Sequence, residues 1–138
     1  MVDPIEVNVN AFIDDQAEML VLNFPQLESL VFKRLFVISA LQGTTRGKHA
    51  HKNCWQLLIN LEGLITLKYF NKFSKSQTEL KKNGYGLLFP PLNWLEIGME
   101  NNSKLLVLAT DYFDESDYIR DIETFYSELE KKDVLYRN

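Results

Sequence analysis

The sequence predicts an all-β domain, an antiparallel sandwich or barrel, closed by one short C-terminal helix. Three observations carry that expectation. Short runs rich in β-branched and aromatic residues recur at roughly ten-residue spacing, separated by Gly, Pro and Asn. Apolar and polar residues alternate within several runs, as in a strand with one buried face. Beyond residue 114 the apolar spacing changes to steps of three and four, the period of a helix.

In chain order, residues 6–9 alternate, and residues 18–23 follow the polar turn Asp14-Asp15-Gln16. Residues 32–38 are aromatic and β-branched, the composition strands prefer. Gln42-Gly43-Thr44-Thr45 reads as a loop, and the polar run from Arg46 to His51 as the next strand. Residues 55–61 and 64–70 flank Glu62-Gly63, the signal of a tight hairpin. Residues 85–89 end at Pro90-Pro91, which cannot continue a central strand. Residues 94–97 and 104–110 bracket the turn Glu100-Asn101-Asn102-Ser103. From Asp114 to Lys132, Ile119, Ile122, Phe125, Tyr126 and Leu129 trace one helical face, with Asp117 or Asp121 as its cap. No repeat, linker or low-complexity stretch interrupts the chain, so residues 1–138 read as a single domain.

The 138 residues are 46% hydrophobic with a net charge of -4 and a pI near 5.2. That balance excludes a general nucleic-acid binder, which needs a basic face, and leaves room for local phosphate pockets. Cys54 is the one cysteine and forms no internal disulfide, in keeping with a reducing compartment. Met1-Val2-Asp3-Pro4 lacks the basic and apolar regions of a signal peptide, and no apolar run reaches membrane-span length. A cytoplasmic protein with no membrane partner is expected.

The two histidines of the chain stand together in Arg46-Gly47-Lys48-His49-Ala50-His51. Imidazoles two residues apart on a strand point to one face, roughly 6–7 Å apart. Histidine is the side chain best suited to move protons near neutral pH. An apolar strand, a Gly-Thr-Thr loop, an H-x-H strand and a hairpin built on Gly63 together resemble the first half of a cupin jelly roll. Metal-binding cupins add a later histidine, which this chain lacks. A site of two histidines and carboxylates remains open for metal, but the pattern points to a metal-free cupin using its histidines as acid and base.

Arg46-Gly47-Lys48-His49-Ala50-His51-Lys52 is similar to the signature of the nucleotide-sugar 3,4-ketoisomerases, the WxcM-like cupins. Phe32-Lys33-Arg34-Leu35-Phe36 resembles that family's strand before the loop. The stretch from Gly86 through Pro90-Pro91 to Trp94 resembles its G-L-[YF]-x-P-x-x-x-W segment. Leu106-Val107-Leu108-Ala109-Thr110, running on through Asp114-Glu115-Ser116-Asp117-Tyr118-Ile119-Arg120-Asp121, resembles its close. The matches follow in order over about three quarters of the chain. The resemblance implies action on dTDP-4-keto-6-deoxy-D-glucose, moving the carbonyl from C4 to C3. It implies a 3-keto product passed to an aminotransferase, giving a 3-amino-3,6-dideoxy sugar for glycans such as the lipopolysaccharide O-antigen. It also implies a homodimer with exchanged N-terminal strands and no cofactor or metal. Two departures stand out. Val37, Ile38 and Ser39 occupy positions where the family often carries tyrosine, and Asp14-Asp15-Gln16-Ala17 replaces an Asp-x-Arg-Gly turn.

Keto migration needs a proton removed from C3 and one delivered to C4, through an enediol. His49 is assigned as the base at C3 and His51 to the C4 side, with the reverse left open. Arg46 is the candidate for stabilising the enediolate or the diphosphate. Gln56, polar on an otherwise apolar strand, is a candidate hydrogen-bond partner for the sugar, and Trp94 a candidate wall. Lys48 alternates away from the histidines. Lys52 lies on that same side by alternation, and the family match keeps it among the binding candidates. Cys54 is given no catalytic role. A 3,5-epimerase acting on the same substrate class, a non-catalytic sugar-binding cupin and a metal-dependent oxygenase are the competing expectations.

Overall fold

The computed structural model describes residues 2–23 and 29–137, with side chains through residue 132. The strands are β1 (Ile5–Ile13), β2 (Glu18–Leu22), β3 (Arg34–Ser39), β4 (Thr44–His51), β5 (Gln56–Glu62) and β6 (Ile65–Phe70). They continue with β7 (Lys75–Leu80), β8 (Tyr85–Phe89), β9 (Trp94–Met99), β10 (Lys104–Ala109) and β11 (Tyr118–Ile119), and α1 spans Ile122–Arg137. Six strands form one antiparallel sheet in the order β2-β1-β8-β5-β10-β3, and five form the other, β11-β4-β9-β6-β7. The sheets curl over each other as a jelly-roll half-barrel of the cupin type, with one C-terminal helix, as the sequence predicted. Among the described residues no helix is long and apolar enough to cross a membrane.

The alternation read from the sequence sorts three apolar layers. Between the sheets lie Leu58, Leu67, Leu95, Ile97, Met99, Leu105 and Val107, all nearly or fully buried. The other face of the six-stranded sheet gathers Val7, Leu57, Ile59 and Leu88. The outer face of the five-stranded sheet is covered by α1, where fully buried Phe125 meets Ala50, Trp94 and Ile119. Truncating a buried Phe of this kind costs roughly 3–5 kcal/mol, so the helix is held chiefly by that side chain.

Two expectations change. Glu62-Gly63 makes no hairpin: β5 and β6 belong to different sheets, and the chain crosses between them there. Gly63 has φ +85°, and a Cβ on it would stand 2.8 Å from Ser103 Cα. A glycine is needed at this position for both reasons. The helix begins at Ile122, not near Asp114, because Asp121 accepts the Thr124 N–H and caps it. Residues Glu115–Asp117 instead form a 3-10 turn capped by Asp114, followed by β11. The polar strand β7 and the two-residue β11 carry too little apolar pattern to be expected from sequence.

Candidate active site

The histidine strand is shaped by a bulge. Gly47 pairs with Glu96 and His49 with Leu95, so Lys48 is an extra residue in the ladder. Gly47 has φ +82° and Lys48 φ +57°. A Cβ on Gly47 would lie 2.7 Å from the Leu95 carbonyl oxygen, so this position requires glycine. Directly paired residues share a face. His49 therefore sits with Leu95 on the inner face, and the bulge turns Arg46, opposite Ile97, to that same face. His51 follows on the inner face beside Tyr118 of β11.

Three rings touch at this place. The centroids of His49 and His51 lie 5.0 Å apart, and the Tyr118 ring lies 4.9 Å from His49 and 4.4 Å from His51. The His51 Nδ1–H donates to Asp117 Oδ2 at 2.8 Å, and the Asn53 main-chain N–H donates to Asp117 Oδ1 at 2.7 Å. The His49 Nδ1–H donates to the Gly47 carbonyl at 3.0 Å. A carbonyl and an ionised carboxylate only accept, so both rings carry their proton on Nδ1 and present Nε2 as a free lone pair. His51 Nε2 is buried and has no hydrogen-bond partner among the described residues.

Burial pushes the His49 imidazole down to about 4, reinforced by His51 and opposed by the Gly47 contact. Burial also holds His51 below its ordinary value, opposed by the hydrogen bond and charge of Asp117. Near neutral pH both rings are neutral bases; His49 feels the charge of Glu115, whereas His51 has a carboxylate in direct hydrogen-bond contact to stabilise the proton it gains.

The remaining expected site residues divide. Gln56 is buried and lines one narrow cavity with His49, His51, Cys54, Phe89 and Leu95. Arg46 shares the histidine face but is exposed. Lys52 is half-buried past the end of β4, where its main-chain N–H donates to the Asp117 carbonyl at 2.9 Å. Trp94 is not brought to the histidines. It lies on the opposite face of β9, packed near Phe70 and Phe125 beneath α1. Arg120 pairs with Glu115, at 2.6 Å, and its guanidinium covers the outer side of the Tyr118 ring at 4.4 Å.

Sequence reasoning missed three residues: Asp117, Tyr118 and Arg34. Asp117 was weighed only as a helix cap. The signal that could have moved it was Asp121 with Thr124 three residues on, a better helix start that frees Asp117 for other work. Arg34 comes from the facing sheet, and its Nη1 donates to the Tyr118 hydroxyl at 3.5 Å. His51, Cys54 and Asp117 offer ligand atoms within 4.8 Å of one another. To hold a cation they would have to surrender the His51–Asp117 hydrogen bond and the thiol proton that Cys54 directs at the Trp55 carbonyl.

A jelly-roll barrel enclosing a carboxylate-backed imidazole pair, with both rings neutral, defines a cupin-type enzyme built for proton transfer. A family model described as FdtA, WxcM-like, C-terminal, matches residues 5–130. The TDP-4-oxo-6-deoxy-alpha-D-glucose-3,4-oxoisomerase of Aneurinibacillus thermoaerophilus is 28% identical over 127 residues, covering 91% of each chain. The crystal structure of QdtA, a sugar 3,4-ketoisomerase from Thermoanaerobacterium thermosaccharolyticum in complex with TDP, matches with TM-score 0.82 and 28% identity, over 94% of this chain and 96% of that one. A histidine-to-asparagine variant of the same enzyme, in complex with TDP-4-keto-6-deoxyglucose, matches with TM-score 0.82 and 27% identity, over 95% and 96% of the two chains. The chain belongs to the WxcM-like FdtA family and is an isomerase.

Proposed function

We propose that this protein is a dTDP-4-keto-6-deoxy-D-glucose 3,4-ketoisomerase, yielding a dTDP-3-keto-6-deoxy hexose. The observation that carries the reading is the His51–Asp117 pair, with His51 Nε2 buried, without a hydrogen-bond partner among the described residues, and beside His49. The C3–H next to a ketone is a weak acid, and its removal needs the stronger of the two bases. Asp117 makes that base His51, the reverse of the order first assigned from sequence. His51 takes the C3 proton, carries it as imidazolium and delivers it to C4. His49, held neutral by burial, offers its Nε2 as an acceptor for a sugar hydroxyl. Arg46, turned to this face by the bulge, and Gln56, in the cavity, are the groups we assign to substrate binding. Neither histidine needs a metal for these steps.

The 3-keto product suits an aminotransferase, which would make a 3-amino-3,6-dideoxy sugar for a surface glycan. We place the enzyme in the cytoplasm, in line with the free, buried Cys54 thiol. We also propose a homodimer. Leu35 and Val37 point outward from the six-stranded sheet, 60% and 49% exposed. Phe12, Ile13 and Met19 stand exposed at the tip of the β1–β2 hairpin. A second copy covers this apolar surface, with the hairpin exchanged between subunits.

The test is proton NMR of dTDP-4-keto-6-deoxy-D-glucose in D2O with the purified protein. A 3-keto sugar with a C4 hydrogen newly formed is expected, and His51→Asn should lose it while staying folded. Deuterium entering at C3 and C5 without carbonyl migration would refute the ketoisomerase in favour of an epimerase. An unchanged sugar with folded protein would refute an enzyme for this substrate.

A further inference from the structure

Isomerisation moves hydrogens on oxygen as well as on carbon. The C4 carbonyl oxygen must gain a proton and the C3 hydroxyl must lose one. The histidine that carries the carbon-bound hydrogen cannot also serve the oxygens in the same step. Resting on the ketoisomerase function proposed above, we infer that the Tyr118 phenol, held by Arg34, is the catalytic group that relays the proton between the two substrate oxygens.

Four observations carry this. Tyr118 pairs directly with His51 across β11 and β4, so both side chains share the inner face. Its ring contacts both imidazoles. Its hydroxyl receives Arg34 Nη1 from the opposite sheet at 3.5 Å, a long contact that leaves the phenol proton free to be donated elsewhere. Arg34 Nε and His51 Nε2 are both buried and without hydrogen-bond partners among the described residues. A buried donor and a buried acceptor left open on two residues that contact one phenol are the features expected of a site that receives a polar ligand. Arg120 covers the outer side of the ring at 4.4 Å, so the phenol lies near two guanidinium groups.

The step balances. As His51 takes the C3 proton, the C3–H electrons form the C3–C4 double bond, and the C4 oxygen takes the Tyr118 proton. The species present are a neutral enediol, His51 imidazolium and Tyr118 phenolate. The phenolate then takes the proton of the C3 hydroxyl, the C3–O double bond forms, and C4 takes the proton from His51. Product leaves with both protein groups restored and no outside proton consumed. Vicinal enediol oxygens are close enough for one phenol to reach both in turn.

Tyr118→Phe keeps the ring and its packing and removes only the hydroxyl. With parent and variant measured in the same D2O assay, kcat should fall about 100-fold or more, the usual scale for a general acid–base group, with KM within threefold. The ratio of C3 deuterium exchange to product formation should rise at least tenfold, because an enediolate formed without relay waits until the His51 proton exchanges with D2O and then returns to substrate. A kcat within threefold of the parent, or a fall with an unchanged exchange ratio, overturns the inference. A parent that leaves the sugar unchanged overturns the ketoisomerase reading itself, and this relay with it. If Tyr118→Phe does not fold, 3,5-difluorotyrosine at position 118 keeps ring and hydroxyl and alters only acidity. A severalfold change in kcat is then expected, and an unchanged kcat overturns the relay.

Discussion

Replacing Asp117 by Asn tests the base at its support. The carboxylate faces two donors, His51 Nδ1–H at 2.8 Å and the Asn53 N–H at 2.7 Å. An amide has one oxygen and one NH2, so it cannot accept from both. With its oxygen on Asn53, the NH2 meets His51 Nδ1, and the ring must shift its proton to Nε2. The lone pair aimed at the substrate is then gone. Loss of the correct tautomer in a carboxylate–histidine pair costs on the order of 10⁴ in kcat, or about 5 kcal/mol at 1.36 kcal/mol per tenfold. With its oxygen on His51, the NH2 opposes the Asn53 N–H and a charge-assisted bond of about 1.5–3 kcal/mol is lost. The first arrangement moves only a ring proton and should dominate. Asp117→Asn should therefore lower kcat by about 10²- to 10⁴-fold, while the fold loses less than about 2 kcal/mol. NMR turnover gives the first quantity and a thermal melt the second. A kcat within threefold of the parent, in a variant that melts normally, would refute the dyad.

The buried histidines set a pH dependence of stability. Unfolded, His49 titrates near 6.5, whereas in the fold it does so only near 4. Between those values the unfolded state binds the extra proton, so stability is lost as pH falls through that window and recovered as it rises. His49 contributes at most about 3 kcal/mol of this change. Urea midpoints at pH 7 and pH 4.5 should differ accordingly, and His49→Asn should reduce the difference; a pH-independent parent would contradict the burial argument. The dimer is open to sedimentation. Leu35→Glu with Val37→Lys should convert a particle of twice the chain mass to a monomer, and a monomeric parent would refute the proposed interface.

Much of the fold was legible because alternation is a direct record of the two faces of a strand. Leu105, Val107 and Ala109 face between the sheets while Leu106 and Leu108 face away, a pattern visible in the sequence as a β run. Sheet membership was not legible, since a Gly turn between two apolar runs looks the same whether the strands pair or cross over. The pairings of β5 with β8 and β10, and of β6 with β7 and β9, distinguish the two, and they join residues far apart in sequence. The histidine pair was visible because it is local. Asp117, Tyr118 and Arg34 were not, because they meet β4 through pairing and barrel closure, contacts between residues dozens of positions apart. Arg46 was named from its place beside the histidines, although strict alternation would put it on the side of Lys48; the one-residue bulge at Lys48 sets its side.

The short strand β11 has a consequence for biosynthesis of the protein. It supplies Tyr118, and the turn just before it Asp117, to a histidine strand that leaves the ribosome some seventy residues earlier, counting from His49 to Ile119. A nascent chain released before that point can lay down most of both sheets yet lacks the carboxylate that fixes the His51 tautomer. Premature termination or clipping upstream of Asp117 therefore yields β-rich protein without a competent base, and catalytic competence waits on the segment that carries Asp117 and Tyr118.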